Sequence, residues 1–192
     1  MILGIDLAGS ERRDTGVCLL DRKLKARCFI VHKDSEIISL VKKTKPKIIA
    51  IDAPLSLPKG RKSLKNRSNI HFRECDKALW KLGIKFFPIT LGPMRMLTER
   101  GIKLKKKLKR LGFNVIEVYP GATQDILGIP RKQKGLEKLK KELEKLGLKF
   151  TKQKLTGDEL DAATAAYTAW LYLKGKAIAI GDKKEGTIII PK

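Results

Sequence analysis

One stretch, TGDELDAATAAYTAWLYLKG at residues 156–175, limits the possible folds more than any other. Thr156 and Glu159 stand at capping-box spacing, so the pattern predicts a helix over about 157–173. Beyond Asp161 the run carries no charge until Lys174. A helix that is apolar nearly all round is a buried helix, and the rest of the chain has to cover it. Two of its leading carboxylates, Asp158 and Asp161, therefore stand where the chain enters its own interior.

Apolar runs of strand length are available for that cover. Residues 1–7 open the chain, and KIIAIDAP (47–54) repeats their pattern with Pro54 as a stop. TGVCLL (15–20) and ARCFIV (26–31) flank the polar DRKLK and suit a hairpin, with Cys18 and Cys28 across from each other. FNVIEVYP (113–120) is a further strand, and AIAI with TIII frames a C-terminal hairpin. Helical spacing is present at 34–45, 73–83, about 94–111 and 135–147, the last closed by Gly147. Residues 55–72 are basic, contain Pro58 and Gly60, and read as a long loop. Hairpins together with crossovers predict a single α/β domain over 1–192 built on a mixed sheet.

The 192 residues include 43 Lys and Arg against 20 Asp and Glu, a formal net charge of +23. That surplus points to a polyanionic partner, nucleic acid first. A Lys-, Glu- and Ile-rich bias resembles hyperthermophile composition, but that bias alone does not leave so large an excess. KLKKKLKR (103–110) is the densest basic block. It is either a solvated helix face or a phosphate-tracking surface carried by Lys103, Lys106, Lys107 and Arg110. Lys59, Arg61 and Lys62 follow Asp52 closely and are expected to close over substrate. An aromatic content of 6% argues against a reader that works by stacking on single strands. Three cysteines in no framework spacing, no signal peptide and no apolar run of ~18 residues predict a reduced cytoplasmic chain.

Four acidic positions resist a purely structural account. Asp6 ends the first strand, Asp52 ends IIAID, Glu117 lies inside NVIEVY, and Asp161 heads the buried helix with Asp158 one turn earlier. An ionised carboxylate in such surroundings is costly unless it is paired or bound to metal. Asp6 and Asp52 can each hydrogen-bond their own turns, Asp158 suits a helix N-terminus, and Glu117 can pair with a basic residue. Asp158 and Asp161 nevertheless share a helical face. If that face packs beside the first strand, the four aspartates converge, and divalent cations relieve their repulsion. Two Mg²⁺ or Mn²⁺ ions ~4 Å apart would then serve phosphodiester hydrolysis. GIDLAGS lacks the lysine and spacing of a P-loop, so Gly9 and Ser10 read as a small rim that admits phosphate. A non-enzymatic nucleic-acid-binding protein and a small nucleotide-binding protein remain the competing readings.

GIDLAGS (4–10), IDAPLSLP (51–58), RECD (73–76), EVYPGA (117–122) and DELDAATAAYTAW (158–170) occur in one order along most of the chain. In these blocks the sequence resembles an uncharacterised family of predicted nucleases with a ribonuclease-H-like fold. The resemblance implies a mixed central sheet of three antiparallel and two parallel strands flanked by helices. It also implies a site like that of the Holliday-junction resolvases, with Asp6, Asp52, Asp158 and Asp161 holding two divalent metals. Ribonuclease H proper has a Glu on its first helix, where the nearby acid here is Glu36. A resolvase-like activity is therefore implied ahead of RNA:DNA-hybrid cleavage. Arg73, Asp76, Glu117 and Tyr119 belong to the same blocks and are expected to line the cleft and contact substrate.

Overall fold

The two apolar runs that end in aspartate lie side by side. In the computed structural model, which describes residues 1–192, β1 (Ile2–Asp6) pairs in parallel with β4 (Ile48–Asp52), and Asp6 stands beside Asp52. β2 (Thr15–Leu20) returns antiparallel along β1, and β3 (Lys25–Val31) along β2, which sets Cys18 opposite Cys28. β5 (Val115–Val118) continues parallel beside β4. These five strands are the expected three antiparallel and two parallel ones.

The sheet extends further than the sequence predicts. β6 (Lys149–Phe150) adds to β3, while the C-terminal hairpin of β7 (Ala177–Asp182) and β8 (Gly186–Pro191) joins the far edge through β8 and β5. The eight strands run in the order β6-β3-β2-β1-β4-β5-β8-β7.

Period-two alternation divides the sheet into two packed faces. Ile2, Cys18, Leu20, Ile48 and Ala50 meet α6 (Gly157–Leu173), the buried helix, through Ala162, Ala166 and Ala169. Leu3, Ile5, Val17, Ile49 and Ile51 meet α1 (Asp34–Thr44) and α3 (Gly92–Arg110) on the other side, through Ile37, Val41, Leu104 and Leu108. Two glycines let α6 lie almost on the strands. A β-carbon at Gly4 would collide with the Ala162 carbonyl oxygen, and one at Gly16 with the Asp158 carbonyl.

Helices α2 (Glu74–Lys81) and α5 (Leu136–Lys145) fall inside the stretches that predict them. A short helix, α4 (Pro120–Ile126), has no counterpart in the sequence pattern. It opens on Pro120, which is well tolerated in a first helical turn, where its missing N–H costs no bond. Residues 55–72 contain no helix or strand, as their composition predicts.

Candidate functional site

Strand parity puts Asp6 and Asp52 on the same side of the sheet. Ile2, Gly4 and Asp6 alternate with Leu3 and Ile5, as Ile48, Ala50 and Asp52 alternate with Ile49 and Ile51. Both carboxylates thus end parallel strands on the α6 face. Asp158 and Asp161 come to them on the first turns of α6, which Gly16, the register partner of Asp6, allows to approach.

Asp6, Asp158 and Asp161 converge on one cation. The Lys132 ammonium stands 2.9 Å from Asp161 Oδ2, 3.1 Å from Asp158 Oδ1 and 3.4 Å from Asp6 Oδ2. Lys132 starts a single 3-10 turn, Lys132–Lys134, in the connection after α4. Gln124, from α4, donates its amide N–H to Asp161 Oδ1 at 2.8 Å and fixes that carboxylate. Sequence reasoning finds neither residue. Lys132 lies in a basic stretch that does not set it apart from its neighbours, and Gln124 lies in a helix the pattern does not show.

The charges at this centre do not balance. Burial, opposed by Lys132 and reinforced by Asp161 and Asp158, pushes the Asp6 carboxyl up to about 7. Burial, then the charges of Asp6 and Asp161, hold Asp52 well above the usual carboxylate range, with Lys132 offsetting only part. Burial works against the Lys132 ammonium, but Asp6 and Asp161 outweigh it and raise its pKa above the ordinary lysine value. Four carboxylates thus share one positive charge.

That imbalance and the donor chemistry bear on whether a metal fits. The four groups offer only hard oxygen donors, the type that Mg²⁺ and Mn²⁺ prefer. No three Asp, Glu, His or Cys side chains are posed as a ready metal cage. The Lys132 ammonium holds the space between the carboxylates, at ammonium-like distances longer than the ~2.1 Å of a magnesium–oxygen bond. The residues fit a divalent cation if it exchanges with that ammonium.

Beside the centre, Gly9 and Ser10 line a cavity of about 470 Å³ together with Asp6, Arg13 and Asp158. The buried Arg100 clamps the preceding turn, donating to the Ala8 carbonyl at 2.8 Å, the His32 carbonyl at 2.7 Å and Asp34 at 2.9 Å. Lys103 and Lys107 line an adjoining hollow that Gly9 and Ser10 also border. Lys106 and Arg110 are exposed on the same helix, α3.

Several expected contact residues are held in internal pairs. Arg73 is 1% exposed and joins Asp76 and Glu117 in a buried network, with bonds of 2.7 and 2.8 Å to Glu117 and 2.8 Å to Asp76. Glu117 shares the strand parity of Val115, which packs on the face opposite Asp52's, and it accepts the Leu55 amide at 2.7 Å. Arg73, Asp76 and Glu117 therefore anchor the chain just after Asp52, and with Asp52 they line a cavity of about 180 Å³ while their charges pair with one another. Arg61 is also buried, with its guanidinium spent on the carbonyls of Ser63, Asn66 and Ile70 inside its own loop. Lys59 sits among Glu74, Asp182 and Glu185 near the β7–β8 turn, and Lys62 is exposed. Tyr119 stays partly open, donates to the Lys85 carbonyl at 2.7 Å and borders a small cavity that reaches Asp52.

This sheet order with its flanking helices is a ribonuclease-H-like α/β fold. Residues 4–186 match the family described as "Protein of unknown function (DUF429)", and the chain belongs to that family. Among solved structures it is similar to T. thermophilus RuvC in complex with a Holliday junction substrate, at 12% identity and a TM-score of 0.52 over 91% of this chain and 94% of that one. A further Thermus thermophilus RuvC structure is 15% identical, with a TM-score of 0.48 over 91% and 96% of the two chains. Among curated proteins none matches the sequence. No helix is long and apolar enough to cross a membrane.

Proposed function

We propose that the protein is a metal-dependent nuclease that hydrolyses phosphodiester bonds in nucleic acid. The observation that carries this reading is the convergence of Asp6, Asp158 and Asp161 on one cationic point, with Asp52 beside Asp6. These four aspartates would hold Mg²⁺ or Mn²⁺, two ions, in exchange for the Lys132 ammonium. Held there, such a cation would supply Lewis-acid polarisation of the phosphate and a water of lowered pKa. Gly9 and Ser10 leave room for the phosphate, and Lys103 with Lys107, on one face of α3 beside that rim, hold the adjoining backbone. Once free of the carboxylates, the Lys132 ammonium stands beside the reacting phosphate and balances developing negative charge. The similar RuvC, bound to a Holliday junction, supports a branched nucleic acid as the first substrate to test.

The ion pairs of Lys132 favour one second reading. A lysine that already neutralises the aspartates suits a nucleic-acid-binding protein on a nuclease scaffold, without catalysis. The experiment that separates them offers branched, duplex, hybrid and single-stranded substrates with Mn²⁺. Cleavage that falls at least ~100-fold in both Asp6→Asn and Asp161→Asn is expected, the scale on which one charge-stabilising group matters. Binding without cleavage, unchanged in both variants, would establish the second reading instead.

A further inference from the structure

The chain has six Phe, two Trp and three Tyr, and Phe72, Phe86, Phe87, Trp80 and Tyr119 gather along one groove of about 880 Å³. A low average content thus conceals a local concentration of rings. Trp80 is 65% exposed and Phe87 69%, so neither ring is spent on the core. Phe72 stands 5.6 Å from Trp80 and 6.2 Å from Phe86 between ring centroids, which braces the wall of the groove. The Arg131 guanidinium lies over the Tyr119 ring at 5.5 Å, and Lys85 lines the same groove.

The groove adjoins a cavity that reaches Asp52, one of the four aspartates. Phe86, Phe87 and Tyr119 also border a cavity of about 180 Å³ that reaches Asp52. Arg131 in the groove is followed directly by Lys132 among the carboxylates. Flat apolar faces, an exposed lysine and a cavity that reaches Asp52 occur together.

We propose that this groove takes an unpaired nucleobase of the strand whose phosphate lies at the aspartate centre. The proposal rests on the reading of the protein as one that acts on nucleic acid. Every base presents a π-face, so stacking on exposed rings tolerates any sequence. Lys85, exposed at the groove, meets an adjoining phosphate, while Arg131, paired with Asp125, holds the Tyr119 ring in place. A fully paired duplex keeps its bases stacked on one another and leaves the groove unfilled. The groove thereby selects strands with free bases, at branch points, loops or tails.

The test reads binding apart from cleavage, in EDTA, by fluorescence anisotropy. The probes are an oligothymidylate of ~10 nucleotides, an abasic strand of the same length and a blunt duplex. The oligothymidylate is expected to bind roughly 5- to 100-fold more tightly than the abasic strand. Trp80→Ala and Phe87→Ala should erase that difference and leave duplex binding unchanged, while Trp80→Phe keeps it. Both rings are exposed, so folding is not at issue. Equal binding of the two single strands, or no effect of either Ala variant, overturns the proposal. Loss of Mn²⁺-dependent cleavage has no bearing on this readout, so the nuclease reading and the groove stand or fall separately.

Discussion

Burial and two neighbouring carboxylates oppose ionisation of Asp6, and Lys132 alone favours it. A carboxyl whose folded pKa is raised from 3.8 to about 7 binds its proton more tightly in the folded state than in the unfolded one. Its stabilising contribution is full below the unfolded value, falls as pH rises through the folded one, and is gone above it. In metal-free buffer the protein should therefore lose on the order of 2 kcal/mol between ~pH 5 and ~pH 8. For a chain of this length that is a fall in Tm of about 2–4 °C per kcal/mol. Thermal melts across that window are the check, and Asp6→Asn should reduce the slope, with Asp52, also held high by burial, supplying the remainder. A Tm that climbs over the same window contradicts the assignment. Saturating Mg²⁺ should also flatten it, because a bound cation favours the ionised carboxylates.

Two elements owe their placement to single residues. Helix α6 reaches Asp6 only because Gly4 and Gly16 lack side chains, and a methyl group at Gly16 would meet the first turn of the helix. Gly16→Ala is expected to destabilise the fold by about 1–3 kcal/mol, the usual cost of overpacking, and to weaken any metal binding. Gly92 has open space around it at the start of α3, so Gly92→Ala should leave denaturation unchanged or raise stability by up to ~1 kcal/mol. The segment after Asp52 depends on Arg73. Arg73→Met strands Glu117 and Asp76 as buried, uncompensated charges and should cost about 3–5 kcal/mol in urea denaturation. Lysine should not rescue it, because one ammonium cannot replace a fork that serves both carboxylates.

At the scale of the whole molecule the surplus charge is not evenly useful. Arg61 and Arg73 are consumed internally, whereas Lys103 and Lys107 flank the Gly9–Ser10 rim. Replacing both lysines with alanine should make log K against log salt shallower by ~0.9 for each lost duplex phosphate contact. Arg61→Ala should leave that slope unchanged. Salt titrations of duplex binding distinguish the two, and equal slopes for all variants would remove α3 from the interface.

The sequence by itself determined most of the elements, α4 and β6 excepted. The charge-free run after Asp161, the alternating strands and the paired strand ends at Asp6 and Asp52 are local patterns, and burial acts on them directly. Only the tertiary structure decided which residues meet. Lys132, one of 43 Lys and Arg, reaches Asp6 across 126 residues, and nothing in its own neighbourhood marks it out. Glu117 has the opposite strand parity to Asp52 because of the register of β5 on β4, which the pattern NVIEVY leaves open. The five rings of the groove come together from separate stretches, so an average composition conceals them. Periodicity reports which side of an element is buried, whereas long-range pairing selects among residues of identical chemistry.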